Sequence, residues 1–487
     1  MHREDVLDKH LKNEYLLLKL LYISSKEMTK KEICEELKIT MPTLSRVIAG
    51  LRESLEESIQ TSQIEFNVKK STLELKSINN ISLDELMGIF MKQSSKYKVL
   101  RYLFSHQRIN HVELCNLLNV SNTTLNRVLQ SCNNLLFKYN LKIERGKIIG
   151  DITQYVFFYY TFLWVSEATE RKVGSGITYA IVDEMAQKFE LTLMQKKQLY
   201  LWLLVTLKKI NKVKIEELNQ INQKNIQQYN KTPINQYVQH LLEKNNPLCT
   251  SDELQIFSYL TCLFLTSFGI ISYERIQLGL FCRDNPAFEL TNKIMAAIKV
   301  TFNLDQSTVF TIETSVFSLI GQTYYFTGSN YTTDKLTFAY YYRLFNNSFR
   351  ERFVGDIIEN IIIPSYLFDQ RKTEYIKKRL VLLIYILSPK KEYQVKIGVV
   401  SSVSYVLASS TIFLLENELS KRQDVILEPY TDNNCYDLVI SNLTDNLLIK
   451  NYNYFYQLTT IGVNLDVKEL HDIINEIAIS KYQSFVL

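Results

Sequence analysis

A chain of 487 residues is too long for one hydrophobic core and implies about three to five domains. Its hydrophobic content of 46% and charged content of 22% are those of a folded globular protein and exclude an intrinsically disordered one. A net charge of +5 over this length excludes a molecule-wide basic field, so any contact with nucleic acid has to rest on local patches.

Seven cysteines, Cys34, Cys115, Cys132, Cys249, Cys262, Cys282 and Cys435, are scattered without a CxxC pair or a neighbouring histidine. That spacing argues against a zinc site or a disulfide framework and for a reducing compartment. The opening MHREDVLDKHLKNE is too charged for a signal peptide. The longest apolar runs, Tyr155–Val165 and Leu380–Leu387, fall short of the roughly 20 residues of a spanning helix. A cytoplasmic protein without membrane contact is expected. With only 13 glycines and 7 prolines, a largely helical chain with short connections is expected too.

Residues 1–24 place Leu11, Tyr15, Leu18 and Tyr22 at helical spacing. Next comes Glu32–Ile48, EICEELKITMPTLSRVI, and 81 residues later Glu113–Leu129, ELCNLLNVSNTTLNRVL. Glu32/Glu113, Cys34/Cys115, Leu37/Leu118, Thr43/Thr124, Leu44/Leu125, Arg46/Arg127 and Val47/Val128 are identical pairs. Each copy reads as a short helix, a tight turn, a capping Thr40 or Ser121, and a second helix. Leu44, Val47, Ile48, Leu51 and Leu55 form one face of the second helix, as do Leu125, Val128, Leu129, Cys132 and Leu136 in the other copy. This is the helix-turn-helix plan for entering a DNA major groove.

Behind each copy lies a candidate hairpin with a basic tip. Ile64–Val68 and Leu73–Leu75 flank Lys69 and Lys70; Leu141–Glu144 and Ile148–Ile149 flank Arg145 and Lys147. A hairpin following a recognition helix is a wing. Thr43, Ser45 and Arg46 are therefore candidate DNA contacts, together with Ser121, Asn122, Thr123, Asn126, Arg127 and Gln130. Arginine pairs with guanine edges, and asparagine or glutamine with adenine. Lys69, Lys70, Arg145 and Lys147 are candidate phosphate contacts. The alternative for each is a solvated surface residue. The second copy has the more polar face, where the first shows Met41, Pro42, Ala49 and Gly50.

From about 153 to 388 the chain is helix-rich and aromatic, with no catalytic spacing. Phe189-Glu190-Leu191 leads into a helix through Leu204, and Phe302-Asn303-Leu304 into one through Phe317, an echo that points to a further duplication. Lys208–Lys214 with the Asn-rich 219–230 reads as an exposed loop. The runs Tyr155–Trp164 and Tyr340–Tyr342 read as packing surfaces, and Cys34 and Cys115 as small buried hydrophobes. Arg350, Arg352, Arg371, Lys372 and Lys377–Arg379 form a basic cluster that either receives a phosphate, pairs with acidic residues or faces solvent.

Beyond Pro389 the pattern changes. Tyr393–Val400 alternates as a strand and is followed by Ser401–Ser404. A helix over Tyr405–Lys421, strands at Val425–Glu428 and Asp437–Ser441, and a closing helix from Asp466 to Tyr482 complete the series. Strand, small-residue loop, helix, strand is an α/β unit with a parallel sheet.

In this order the chain resembles the Mga/AtxA group of regulators from Gram-positive bacteria. The resemblance implies a mainly α, multidomain fold. Residues 1–78 and 79–152 would be tandem winged helix-turn-helix domains, and 153–270 and 271–390 two helical-bundle regulation domains of the sugar phosphotransferase system. Residues 391–487 would be an α/β domain like enzyme IIB. It also implies a homodimeric or higher-oligomeric transcriptional regulator that binds double-stranded DNA. Such a protein is not an enzyme, needs no cofactor, and activates virulence or surface-protein genes according to carbohydrate status. A phosphotransfer protein of the sugar uptake system would be its partner.

Two departures qualify this. Of six histidines none lies between His240 and His471, so the second bundle has none to phosphorylate. His240 is the candidate in the first, against the reading of a plain structural or surface residue. Where true transporters carry a phosphorylated cysteine the loop reads Ser401–Ser404, which makes the tail a binding and dimerising module. The alternatives from other classes are a phosphocarrier or sugar-transport component using the C-terminal domain, and an RNA-binding antiterminator. The latter begins with a small all-β module, unlike the helical repeat here.

Overall fold

The computed structural model describes residues 3–24, 27–58, 64–77, 83–166, 176–211, 213–272, 286–328, 342, 348–387, 389–390, 393–400, 415, 419, 424–441, 449–458 and 464–486. These residues are mainly helical. They divide into two compact units: Met1–Ile271 with Arg275–Arg283 and Gly321–Ala339, and Ser272–Glu274 with Asp284–Ile320 and Tyr340–Leu487.

The first unit begins with α1 (Lys9–Ser24), β1 (Met28–Thr29), α2 (Lys30–Leu37), α3 (Met41–Ser58), β2 (Ile64–Val68) and β3 (Thr72–Ser77). The expected apolar spacing is what folds it. Leu11, Tyr15 and Leu18 of α1 are buried with Ile33, Leu44, Val47, Ile48, Leu51 and Leu73. Thr29 and Glu32 form a reciprocal capping box that starts α2, and Lys38 ends it in a left-handed conformation. The strands pair antiparallel in the order β1-β3-β2, with Met28 opposite Leu73.

The second copy follows as α4 (Leu83–Gln93), α5 (Ser95–His106), α6 (His111–Leu118), α7 (Asn122–Leu136), β4 (Leu141–Glu144) and β5 (Lys147–Gly150). Leu114, Leu125, Cys132, Leu135 and Leu136 are its buried face. β4 and β5 pair antiparallel, Ile143 opposite Ile148. Residues 3–8, ahead of α1, lie against this second copy rather than the first alone. Ser94 Oγ donates to Val6 O at 3.0 Å, and Lys96 Nζ donates to Leu7 O at 2.8 Å.

Helix α8 (Ile152–Ser166) continues from β5, and the aromatic run Tyr155–Trp164 is core, as expected. Phe157, Phe158, Tyr159 and Phe162 are fully buried. Phe157 stacks on Phe326 with centroids 4.5 Å apart, and Tyr160 meets Trp202 edge-on at 5.5 Å. Around it stand α9 (Ile177–Phe189), α10 (Leu193–Ile210), α11 (Gln220–Tyr229), α12 (Pro233–Asn245) and α13 (Ser251–Ser267). Trp202 of α10 stacks on Phe264 of α13 at 4.7 Å and donates its Nε1 hydrogen to Leu260 O at 3.0 Å.

The exposed loop expected over Lys208–Lys214 and 219–230 is largely helical instead. Lys208 and Lys209 close α10, and Gln220–Tyr229 is a helix. Asn219 caps that helix by accepting from Asn222 N, and Ile226 and Tyr229 bury its inner face. A cap and two apolar anchors outweigh the low helix propensity of asparagine.

The second unit holds α14 (Pro286–Thr301), α15 (Gln306–Tyr325) as far as Ile320, α16 (Ser348–Ile357) and α17 (Gln370–Ile384). The Phe189 and Phe302 motifs both lead into helices, α10 capped by Thr192 and α15 entered through Asp305, whose carboxylate accepts Thr308 N at 2.6 Å. The unit ends with β6 (Val395–Val400), β7 (Val425–Pro429), β8 (Tyr436–Ser441), β9 (Tyr452–Gln457) and α18 (Asn464–Val486). The sheet is parallel in the order β7-β6-β8-β9, the α/β arrangement expected, with β9 an unforeseen addition. Tyr482 of α18 meets Phe349 and Phe353 of α16 edge-on at 5.5 and 6.1 Å. Of the helix expected over Tyr405–Lys421, Leu415 and Leu419 are helical and buried; its other residues, Ser401–Ser404, Tyr340, Tyr341 and Cys282 lie outside the described residues.

Candidate nucleic-acid interface

The two repeats close their turns with the same atoms. Ile39 N donates to Cys34 O at 3.0 Å, and Val120 N to Cys115 O at 3.0 Å. Lys38 and Asn119 both sit at φ 53°, ψ 47°, the left-handed position that Asn tolerates best and Lys less well. Thr40 Oγ1 lies 3.0 Å from Thr43 Oγ1, and Ser121 Oγ lies 3.2 Å from Thr124 Oγ1. Ser121 also caps α7 by accepting from Thr124 N at 3.3 Å. The two cysteines are half-buried against the first residue of the following helix. Cys34 Sγ is 3.4 Å from Met41 Sδ, and Cys115 Sγ donates to Asn122 Oδ1 at 3.3 Å.

All the expected contact residues lie on the surface, with Thr43 half-buried. The copies differ in how free those side chains are. In the first, Ser45 Oγ donates to Met41 O at 3.2 Å, and Arg46 Nε turns back toward Pro42 O at 3.5 Å. Lys69 is paired with Glu27 at 2.9 Å, which raises its pKa through that hydrogen bond and charge. In the second, Ser121 and Asn122 serve the turn, and Gln130 Nε2 reaches Asn134 Oδ1 at 3.5 Å. Among the described residues no hydrogen bond or ion pair holds the side chains of Asn126, Arg127, Arg145 or Lys147. The polar face of α7 is thus the less committed one.

The second wing is fixed from behind. Ile109 N donates to Gly146 O at 2.7 Å, which holds the tip of the β4–β5 turn against the segment leading into α6. That bond also places exposed Arg108 next to the wing tip. Arg108 was missed because the sequence pattern marks wings and recognition helices but not the strand-like residue before α6. The offset of 81 residues, which sets Ile109 on Met28 of β1, was the signal that would have found it.

The remaining expected sites are dispersed. His240 is exposed on α12. In the basic cluster of the second unit, Arg352 pairs with Asp356 at 3.4 Å, Lys377 with Glu351 at 3.8 Å and Lys378 with Glu374 at 2.9 Å. Arg350 is buried with its guanidinium over the Tyr385 ring at 4.9 Å. The acidic partners lie within the same chain. A cleft of about 700 Å³ opens beside the first residues of the parallel strands, lined by Lys396, Glu428, Cys435, Asp437, Asn453 and Lys481 among others. Its charges are mutually paired, Lys396 with Glu428 at 3.0 Å and Lys481 with Asp437 at 2.7 Å. No group of three or more metal-ligating side chains occurs among the described residues, and no described helix is long and apolar enough to cross a membrane.

No curated protein matches this chain. Residues 79–163, which run from just before α4 nearly to the end of α8, match the Mga helix-turn-helix domain. The second repeat, the more open of the two, therefore carries the likeness, and it supports the Mga-type regulator family.

Proposed function

We propose that this protein is a DNA-binding transcriptional regulator whose second winged helix is the principal reader and whose first is its partner on the DNA backbone. The observation that carries this is the exposed, uncommitted Asn126–Arg127 face of α7, flanked by a wing bearing Arg145 and Lys147. Asparagine and arginine are the side chains that pair with adenine and guanine edges, and cations at a wing meet phosphate. The test is selection of bound duplexes from a random-sequence pool, followed by titration of the winning duplex. Asn126→Ala with Arg127→Ala should abolish its binding at physiological salt while the circular dichroism spectrum stays unchanged. A folded double variant that binds normally removes the second repeat as reader.

The wider reading extends the likeness of 79–163 to the whole chain. It is an activator of virulence or surface-protein genes tuned by carbohydrate status and dimeric through its C-terminal half. Its support is the element order, helices followed by a parallel α/β sheet, and the solvent exposure of His240. Light scattering on the full chain checks the dimer. Incubation with phosphoenolpyruvate and the general transfer proteins checks His240, whose label must vanish in His240→Ala.

A further inference from the structure

The C-terminal end of α10 carries Lys208 and Lys209 and is joined to the second winged helix. Gln107, which ends α5 in a left-handed conformation, donates from Nε2 to Lys208 O at 2.7 Å. The Lys208 ammonium lies 4.5 Å from the centre of the Phe104 ring of α5, and that of Lys209 lies 4.3 Å from the Tyr155 ring of α8. Each of these two lysines also lies within electrostatic reach of another cation. Arg101 of α5 acts on Lys208, and Lys147 of the wing acts on Lys209.

Lysines in a last helical turn are common because the helix dipole favours them there. That accounts for Lys208 and Lys209 alone. It does not account for placing Lys209 within reach of the wing's Lys147, which costs Coulomb repulsion that folding has to overcome. Among the described residues no carboxylate pairs with Lys147, Lys208 or Lys209. Burial first, and the neighbouring cation second, lower the pKa of both lysines. A polyanion laid across the group offsets that repulsion.

We infer that Lys208 and Lys209, with Arg101 and Lys147, form a phosphate-backbone contact that carries the DNA path from the second wing onto the helical region beyond residue 163. The inference rests on the reading of the second winged helix as a DNA reader. Duplex DNA presents one charge per roughly 1.7 Å of axis, so a backbone that meets Lys147 at the wing continues across neighbouring cations. Aromatic rings under the two ammoniums hold them in place without neutralising them. The matched helix-turn-helix segment ends at residue 163, so Lys208 and Lys209 extend the contact beyond it.

The experiment titrates the full-length protein with a mixed-sequence duplex over a range of salt. Lys208→Gln with Lys209→Gln should weaken binding on the order of tenfold at physiological salt and reduce the slope of log affinity against log salt by about two. It should weaken all sequences alike, since phosphate contacts carry no base information. Lys208→Arg with Lys209→Arg should restore the slope, and Lys209→Met, which keeps the bulk over Tyr155, should reproduce part of the loss. Hydroxyl-radical footprints should lose protection on one flank only. An unchanged slope and footprint in the folded glutamine variant would overturn the inference. If that variant does not fold, Lys209→Met with an unchanged slope does the same. If Asn126→Ala with Arg127→Ala still abolishes binding, the reader assignment survives and only this contact falls. A wild-type chain that shows no salt-dependent binding to any duplex overturns both.

Discussion

Asp8 and Lys96 hold each other's ends: the Asp8 carboxylate accepts Lys96 N at 3.2 Å and Ser95 N at 2.8 Å, while Lys96 Nζ donates to Leu7 O at 2.8 Å and Asp5 O at 3.0 Å. Asp8 precedes α1 of the first winged helix, and Lys96 opens α5 of the second. A carboxylate is thus a cap for a helix that begins 87 residues away, and an ammonium occupies the carbonyls of the short N-terminal turn. Asp5 adds ion pairs to Lys12 at 2.8 Å and Lys138 at 3.2 Å. Asp8→Ala should therefore loosen the joint between the two helix-turn-helix repeats. The expected loss is about 1 kcal/mol, the usual cost of deleting a side-chain cap. Hydrogen exchange at the amides of Ser95 and Lys96 measures it directly, and protection equal to wild type would show the cap to be redundant.

The same joint contains a carboxylate that its surroundings disfavour. Glu4 is 2% exposed, its Oε2 has no hydrogen-bond partner among the described residues, and burial raises its pKa above the ordinary 4.5. In the pH window from 4.5 upward the native state binds more protons at this site than the unfolded chain, so stability falls as pH rises through it. Glu4→Gln removes that loss. The variant should melt higher than wild type at neutral pH and at the same temperature below pH 4.5. Thermal melts at the two pH values decide, and a constant difference across them would exclude the titration of Glu4 as the cause.

Much of this architecture was legible because it is local. The repeat declares itself through apolar residues three and four apart, through Ser121 as the cap of α7, and through alternation around a basic tip; the caps Thr29 and Asn110 of the preceding helices went unread. What stayed hidden is non-local. Nothing near Lys208 in the chain announces that Gln107 will bind its carbonyl, nor does Asp8 announce Ser95. Gln220–Tyr229 looked like a loop because its asparagines and glutamines dominate its composition, while Ile226 and Tyr229, the residues that anchor it, are few. β9 was missed because Tyr452–Gln457 alternates weakly between half-buried and exposed positions. As the last strand of the sheet it has one paired edge and needs no apolar run.

The cysteines separate by burial. Cys132 is fully buried beneath α7, and burial pushes its thiol up to about 12. Cys262 is raised in the same way within α13. Because the thiolate is the reactive form, neither should react with iodoacetamide in the native protein at neutral pH. Exposed Cys435 should be modified first, and half-buried Cys34 and Cys115 later. Time-resolved peptide mass spectrometry gives the order. Early labelling of Cys132 would mean that the core beneath α7 opens readily.

The wing supplies a test in which fold and DNA contact part company. Arg145 and Gly146 have φ of 49° and 75°, the two left-handed residues of a type I′ turn, whose twist suits a two-residue hairpin. A Cβ on Gly146 would meet its nearest neighbour, Ile109, at an ordinary 3.5 Å, so Gly146→Ala carries only the backbone cost of a left-handed L-residue, about 1–2 kcal/mol. Gly150 at the other end of β5 is different. At φ 141° its Cβ would fall 2.6 Å from Leu141 Cδ2 and 2.8 Å from Asn140 O, and the carbonyl has nowhere to move without breaking β4. Gly146→Ala should lower the melting temperature by a few degrees and weaken duplex binding a few-fold, because the turn that aims Arg145 and Lys147 is the part under strain. Gly150→Ala should lower the melting temperature and lose the wing's protection in hydrogen exchange. A Gly146→Ala protein that binds DNA as tightly as wild type, with the same salt slope, would take the wing out of the contact and leave α7 to read alone.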